Sequence, residues 1–128
     1  MVKSQTHLLI SPEWVGQPVA LAEGRAEARL TTRPEMVADD RGLVHGGFTF
    51  GLADYAAMLA VNDPHVVLGA AEVRFLAPVV LGETMLAIAE VVEGSGKKRL
   101  VKCTVSTDRP VFEGTFTCFV LPGHVLDC

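Results

Sequence analysis

The longest apolar segment of the chain runs from Phe48 to Val61 and contains no proline and a single glycine. Its apolar residues do not form one stripe. They surround the helix that this segment predicts, and a helix that is apolar on every face is buried. The turn-forming sequence Asn62-Asp63-Pro64 predicts where the helix ends. We therefore expect the rest of the chain to be organised around this helix.

Asp54 is the one charged residue of this segment and stands in the middle of the predicted helix. An ionised carboxylate on a buried helix is costly unless it has a partner or some water. Such an acid is either satisfied by the backbone or by Tyr55, or it is functional, because perturbed pKa values are concentrated at functional sites. Asp54 is therefore a candidate general base.

The sequence His45-Gly46-Gly47 precedes the helix without a Ser or Thr that could cap it. The first N–H groups of a helix have no internal partner, and glycine lets another backbone or a ligand approach them. The two glycines indicate either a tightly packed turn or a backbone donor to a developing oxyanion, worth about 3 kcal/mol in a transition state. His45 is a candidate acid or base, and the favoured alternative is a structural role in the turn.

Alternation of apolar and polar residues predicts strands on both sides of the helix. Ahead of it, residues 19–32 are expected to form one half-buried strand with small residues inward, and residues 7–10 are a candidate for a shorter one. One helical turn is expected within 34–40. After the helix, short connections predict antiparallel neighbours in a meander of four strands. These four segments are 66–77, 84–93, 98–107 and 111–121.

One flat sheet cannot cover a single helix that is apolar on all sides. A strongly curved sheet could surround part of this helix, and the remainder requires a second copy of the chain. The pattern alone therefore predicts a homodimer or a larger even oligomer, with strand 66–77 available to pair edge to edge with its twin.

The composition fits one globular domain over residues 1–128, since 49% of the residues are hydrophobic and 20% are charged. The net charge is −4, and no basic stripe indicates a nucleic-acid partner. The largest group of cations is Lys97-Lys98-Arg99. It is either a solvated hairpin turn or a contact for an anion, and the sequence favours neither.

The three cysteines, Cys103, Cys118 and Cys128, include no C-x-x-C pair, so neither a zinc site nor thioredoxin-type chemistry is predicted. Their small number argues against a disulfide framework and favours a reducing compartment. The first residues lack the apolar run of a signal peptide, and no apolar stretch reaches the ~20 residues that span a membrane. We expect a soluble cytoplasmic protein without a membrane partner.

Three stretches of the sequence form one recognisable combination of motifs. The most specific is His45-Gly46-Gly47-x-x-Phe50-x-Leu52-Ala53-Asp54. The others are Val73-Arg74-Phe75-Leu76-x-Pro78-Val79-x-x-Gly82-Glu83 and Val111-Phe112-x-Gly114-x-Phe116. Over roughly residues 20–121 the chain resembles the hotdog-fold acyl-CoA thioesterases, in particular the phenylacetyl-CoA type. This resemblance implies an α+β hotdog fold, in which a curved antiparallel sheet wraps around one long central helix.

The resemblance also implies an activity and a site. Members of this family hydrolyse acyl-CoA to a free acid and CoA without a metal or an organic cofactor, so that CoA enters only as part of the substrate. They are dimers or dimers of dimers. The matching residues are Gly46, whose backbone N–H would polarise the thioester carbonyl, and Asp54 of the partner chain, which would act as general base or nucleophile.

One departure from the family keeps a second class of function open. Family members often carry an Asn a few residues ahead of the His-Gly-Gly motif, where this chain has Ala38-Asp39-Asp40. The alternative is a non-catalytic domain that binds acyl-CoA or a related acyl ligand on the same scaffold. A hydratase on this fold would need an Asp/His pair acting on one substrate, and the sequence shows no such pair.

The candidate substrate contacts lie around the helix and in the cationic group, where phosphates of CoA could bind. The aromatic side chains and the methionine leave both aromatic and medium-chain acyl groups open. These candidates are Gly47, Phe48, Phe50, Tyr55, Met58, Lys97, Lys98 and Arg99.

Overall fold

A computed structural model describes residues 2–128 as one antiparallel sheet of six strands curved around one long helix, α1, which comprises Gly46–Val61. Two short 3-10 helices lie outside the sheet, at Pro34–Met36 and Val125–Asp127. The strands are β1 Gln17–Ala22, β2 Arg25–Thr31, β3 Val66–Phe75, β4 Thr84–Ser95, β5 Lys98–Ser106 and β6 Pro110–Val120. Their order in the sheet is β1-β2-β4-β5-β6-β3. This architecture confirms the predicted fold class.

Helix α1 ends where the sequence predicts. Asn62 adopts the left-handed conformation with a φ of 53°, and its N–H donates to the carbonyl oxygen of Met58 at 2.8 Å. The Asn62 side chain accepts the N–H of Gln5 at 2.7 Å and donates to the carbonyl oxygen of Lys3 at 2.8 Å, which fixes the helix end to the N-terminal segment. Neither α1 nor another helix within residues 2–128 combines the length and hydropathy of a membrane span.

The core lies between α1 and the inner face of the sheet, and the helix packs mainly on β2, β4 and β5. The inner positions of β2 and β4 carry small side chains, which allow the helix to lie close to the sheet. The fully buried alanines of these two strands are Ala26, Ala28, Ala87 and Ala89. On β5 the alternation predicted from the sequence is confirmed, with Val101, Cys103 and Val105 buried.

Residues 19–32 are not one strand, as the period of two predicts, but a hairpin formed by β1 and β2. Gly24 lies in its turn with a φ of 74°, a conformation that glycine adopts at no steric cost. Residues 7–10 are not a strand either. There the N–H of Ile10 donates to the carbonyl oxygen of His7 at 3.2 Å and closes a turn.

The four strands after the helix do not form a meander in chain order. β4, β5 and β6 are successive neighbours, but β3 pairs with β6 at the edge of the sheet, and β4 pairs with β2. The connection between β3 and β4 is held against the segment that leads into α1, because the carbonyl oxygen of Val79 accepts the N–H of Val44 at 2.8 Å. This hydrogen bond places the end of β3 beside the first turn of the helix.

The edge strand β3 leaves part of α1 uncovered. Its middle, Gly69-Ala70-Ala71, is exposed and carries no large side chain. On the helix, Phe50, Gly51 and Asp54 are partly exposed, although the residues from Tyr55 to Ala60 are buried. The oligomeric state stays a prediction, and these are the surfaces that a second copy would have to cover.

Candidate active site

The first turn of α1 presents unpaired backbone donors. His45 precedes the helix in an extended conformation, with φ −63° and ψ 130°, and its side chain makes no capping hydrogen bond. The N–H of Phe48 donates to the carbonyl oxygen of His45 at 3.1 Å. Within residues 2–128 the N–H groups of Gly46 and Gly47 have no hydrogen-bond acceptor. An electron-rich ligand can therefore approach them at the positive end of the helix dipole.

A side chain at either glycine of this turn would come close to a neighbouring ring. A Cβ at Gly46 would lie 3.1 Å from Cε1 of Phe75, and a Cβ at Gly47 would lie 2.9 Å from Nε2 of His45. The His45 ring thus lies over Gly47, and it meets the ring of Phe48 edge-on at a centroid distance of 6.1 Å. Both functions proposed for the glycines from the sequence, close packing and exposed donors, are compatible with this geometry.

A cavity of about 310 Å³ opens beside Gly46. Its floor includes Thr49, whose hydroxyl donates to Sδ of Met85 at 3.3 Å and is therefore already occupied. Phe75 forms a wall at the end of β3, and the connection 76–79 with Val44 and Val111 completes the lining. All lining side chains are uncharged, so the cavity suits an apolar group attached to an atom held at Gly46.

The carboxylate of Asp54 has one oxygen without a hydrogen-bond partner. Its Oδ1 is buried and makes no hydrogen bond within residues 2–128. Burial raises the pKa of the Asp54 carboxyl to about 6, because the ionised form loses hydration. The thiol of Cys118 on β6 is close enough that the Asp54 charge, after burial itself, contributes to raising the pKa of Cys118 to about 12. One turn earlier, Gly51 has open space where a side chain would stand.

These properties make Asp54 suited to accept a proton near neutral pH. A general base works best when its pKa lies close to the working pH, and a carboxylate with no local partner keeps its lone pairs free for a substrate or a water. Within residues 2–128, Oδ1 of Asp54 makes no hydrogen bond to the backbone or to Tyr55, the two partners that the sequence offered for a merely structural acid. Instead, the Tyr55 ring lies 6.3 Å from the ring of His7, on the side of the N-terminal segment.

The other residues proposed on the helix divide into surface and core. Phe48 lies between His45 and Trp14, and Phe50 packs on Phe116 of β6 with a centroid distance of 5.7 Å. Met58 is 1% exposed and belongs to the core of the chain, as does Tyr55. The structure thus brings Phe48 near the helix start but does not bring Tyr55 or Met58 to the cavity at Gly46.

The cations Lys97, Lys98 and Arg99 lie in the hairpin between β4 and β5. Thr49, in the first turn of α1, contacts Met85 at the opposite end of β4. Twelve residues of a strand span roughly 40 Å, less where the strand is curved. Within one chain these cations are therefore remote from Gly46.

The sequence did not single out Phe75 as part of the site, although it stands in a recognised motif. Its place beside Gly46 depends on the pairing of β3 with β6, where Phe75 is opposite Phe112.

Asp39, which stands near the position of the family's Asn, is held by hydrogen bonds within its own loop. Its Oδ1 accepts the N–H groups of Arg41 at 2.9 Å and Leu43 at 3.2 Å, so the carboxylate is engaged in its own loop. Within residues 2–128 no three His, Cys, Asp or Glu side chains are grouped as metal ligands.

Comparison with known sequences identifies relatives of this chain. The sequence model described as the thioesterase superfamily matches residues 41–113. Methylthioribose-1-phosphate isomerase of Aquifex aeolicus is 53% identical over 120 residues, which are 91% of this chain and 26% of that protein. Transcription factor FapR of Shouchella clausii is 32% identical over 115 residues, which are 88% of this chain and 60% of that protein. The chain thus spans only part of the length of these relatives.

Solved structures show the same fold. An uncharacterized protein of Pyrococcus horikoshii has a TM-score of 0.97 and 55% identity, with 98% of this chain and 98% of that chain covered. A hypothetical thioesterase of Streptococcus pneumoniae, solved with coenzyme A, has a TM-score of 0.76 and 19% identity, with 84% and 87% covered. These likenesses confirm the hotdog fold expected from the sequence.

Proposed function

Since this chain belongs to the thioesterase superfamily, we propose that it hydrolyses an acyl-CoA thioester to a free acid and CoA. The observation that carries the proposal is the Asp54 carboxylate, whose Oδ1 is buried without a hydrogen-bond partner and whose pKa is raised to about 6. A hydrolase that works near neutral pH benefits from such a base, and Oδ1 of Asp54 is the one buried side-chain oxygen or nitrogen without a hydrogen-bond partner within residues 2–128.

In the first form of the reaction, Asp54 is a general base. It takes a proton from a water molecule while the water oxygen bonds to the thioester carbon. The carbonyl oxygen becomes an oxyanion that accepts the N–H of Gly46. When this intermediate collapses, the carbon–sulfur bond breaks, the sulfur leaves with the bonding electrons, and the proton returns to it as the CoA thiol.

In the second form, Asp54 is the nucleophile. Its carboxylate oxygen bonds to the thioester carbon and expels the CoA thiolate, which leaves an acyl anhydride on the protein. Water then cleaves the anhydride and releases the free acid. Both forms use the same oxyanion donor and neither uses a metal or an organic cofactor. Hydrolysis in ¹⁸O-water under single-turnover conditions separates them, because only the nucleophilic form can leave label in Asp54.

We infer that each site is built from two chains of a homodimer, or of a dimer of dimers. Gly46 and Asp54 occupy distant turns of one helix, whereas an antiparallel partner helix would bring its own Asp54 to the first turn. The uncovered face with Phe50, Gly51 and Asp54 supports this assembly, since a second copy would complete its burial.

The direct test is a panel of acyl-CoAs with short, medium, long and aromatic acyl groups, with release of CoA followed by a thiol-reactive dye. Cys128 is an exposed free thiol and would itself react with the dye, so Cys128→Ser is the background for every variant. We expect multiple turnovers for at least one acyl group and loss of most turnover in Asp54→Asn. No release above the uncatalysed rate with any acyl group would refute the enzymatic proposal.

The second candidate is a domain that binds acyl-CoA without hydrolysing it. Two observations favour it: the 32% identity to a transcription factor and the sequence Ala38-Asp39-Asp40 in place of the family's Asn. Asp39 points into its own loop and supplies no donor to a carbonyl. Saturable binding of acyl-CoA in calorimetry, with the thioester recovered intact, would establish this function in place of catalysis.

A further inference from the structure

A second cavity of about 560 Å³ lies between the N-terminal segment and β2. Its lining residues belong to the N-terminal segment, the beginning of β1 and the end of β2. The apolar cavity at Gly46, in contrast, has lining residues from β3 and β6. The two cavities therefore lie on opposite sides of the sheet, since β1 and β2 stand at the other side from β6 and β3.

The charge of this second cavity is mainly positive. Arg29 and Arg33 line it, and Glu13 is the one acid among its lining residues. Arg33 has only a distant ion pair, with its Nε 4.0 Å from Oε1 of Glu35, and both side chains are about half exposed. Arg29 forms no ion pair within residues 2–128. Both guanidinium groups are therefore free to bind an anion.

Aromatic side chains connect this cavity with the first turn of α1. The guanidinium carbon of Arg33 lies 5.8 Å from the Trp14 ring. Trp14 in turn lies 6.3 Å from Phe48, and Phe48 lies 6.1 Å from His45, which covers Gly47. A row of rings thus leads from the first turn of the helix to Arg33, which lines the same cavity as Arg29.

We propose that Trp14, Arg29 and Arg33 bind the phosphate-bearing nucleotide end of CoA. The inference rests on the proposed function, because it requires a CoA thioester at Gly46. The apolar cavity would hold the acyl group, the row of rings would lie along the uncharged pantetheine arm, and the arginines would bind the phosphates. This assignment replaces the Lys97-Lys98-Arg99 group as the phosphate contact within the chain that supplies Gly46.

The test uses Trp14 as its own reporter, because it is the single tryptophan of the chain. Titration with CoA is expected to change its fluorescence saturably, and the affinity is expected to fall as salt is raised. Pantetheine, which lacks the phosphates, is expected to bind at least about tenfold more weakly. Equal affinities for CoA and pantetheine would overturn the proposal.

Two variants and a control locate the phosphate contacts. Arg29→Gln and Arg33→Gln are each expected to weaken CoA binding about tenfold and to leave pantetheine binding unchanged, because only the charge-assisted contacts are lost. Lys102→Ala removes an exposed cation on β5 outside both cavities and is expected to change neither. Calorimetry repeats each titration, since Arg33→Gln also alters the surroundings of Trp14. Wild-type affinity for CoA in both arginine variants would contradict the assignment.

Failure of this inference is distinct from failure of the thioesterase proposal. If no acyl-CoA is hydrolysed but the arginine variants lose CoA affinity, the nucleotide site stands and the enzymatic proposal falls. If acyl-CoA and acyl-pantetheine are hydrolysed with equal kcat/KM by the wild type and by both variants, the thioesterase stands and the nucleotide site falls.

Discussion

Gly46 and Asp54 lie on the same helix, and the eight positions from one to the other separate them by about 12 Å along its axis. A backbone donor and a base that act on one thioester must each come within ~3–4 Å of the reacting atoms. The two groups of one chain are too far apart for this. Two antiparallel helices facing each other across a two-fold axis meet the requirement, because each helix start then lies beside the middle of its partner.

A mixing experiment tests the two-chain site. Gly46→Pro removes the N–H itself, and proline is well tolerated at the first position of a helix. Asp54→Asn removes the base. When the two inactive variants are unfolded and refolded together, a mixed dimer has one site with both defects and one intact site. If half of the dimers are mixed, about a quarter of the wild-type activity should return.

The complementary mixture gives the opposite expectation. Wild-type chains refolded with an excess of a variant that carries both substitutions should lose activity in every mixed dimer, because each site then contains one defect. If each site lay within one chain, half of the sites in the same mixed dimers would stay active. Gly46→Ala is the matched control for added bulk, since it keeps the N–H and adds only the Cβ that approaches Phe75.

The pH dependence of hydrolysis should follow Asp54. Only the ionised carboxylate can act as base or nucleophile, and burial raises its pKa to about 6. We expect kcat/KM of the free protein to rise with pH and to level off above a midpoint near 6. Asp54→Asn should lose at least about tenfold in kcat/KM, which corresponds to ~1.4 kcal/mol, and its residual rate should lack this midpoint. A midpoint that persists in the variant would assign it to another group.

The features set by local sequence were predictable. The extent of α1, its end at Asn62 and the lone carboxylate of Asp54 follow from a run of apolar residues closed by turn formers. The alternation of β5 follows in the same way, since every second side chain faces the core. In each case neighbouring residues in the chain carry the whole signal.

The features set by distant pairings were not predictable. The pattern of 66–77 is the same whether β3 pairs with β4 or with β6, yet only the second pairing brings Phe75 to Gly46. Arg33 of the second cavity likewise contacts Trp14 only because the N-terminal segment folds over the end of β2. The hairpin turn at Gly24 was not recognised in the sequence. Gly24 occupies an inward position of the apolar and polar alternation, so the turn does not interrupt the period of two.

The edge strand β3 offers a test of the oligomeric state. We expect a dimer or larger even oligomer at micromolar concentration, with β3 paired to its twin. Ala71→Lys places a cation on the exposed part of this edge, where two copies would set like charges close together, so we expect it to shift the mass towards the monomer. Ala20→Lys makes the same change on β1, the opposite edge, and is expected to leave the mass unchanged. A monomeric mass of the wild-type protein by light scattering would exclude the two-chain site as well.

Asp54 should cost stability at the pH at which it works. Its pKa is about 6 in the folded chain against 3.8 for an ordinary aspartate, so the folded state binds more protons between these values and stability falls as pH rises through that window. Asp54→Asn cannot ionise. We expect its free energy of unfolding to exceed that of the wild type by roughly 1–2 kcal/mol at pH 7.5, after allowance for the partial exposure of the side chain, and the advantage to shrink towards pH 4. Urea unfolding at both pH values and one protein concentration measures the difference, with Asp40→Asn, an exposed acid, as control. An equal difference at the two pH values would mean that the carboxylate is not held in the buried, unpartnered state on which the site depends.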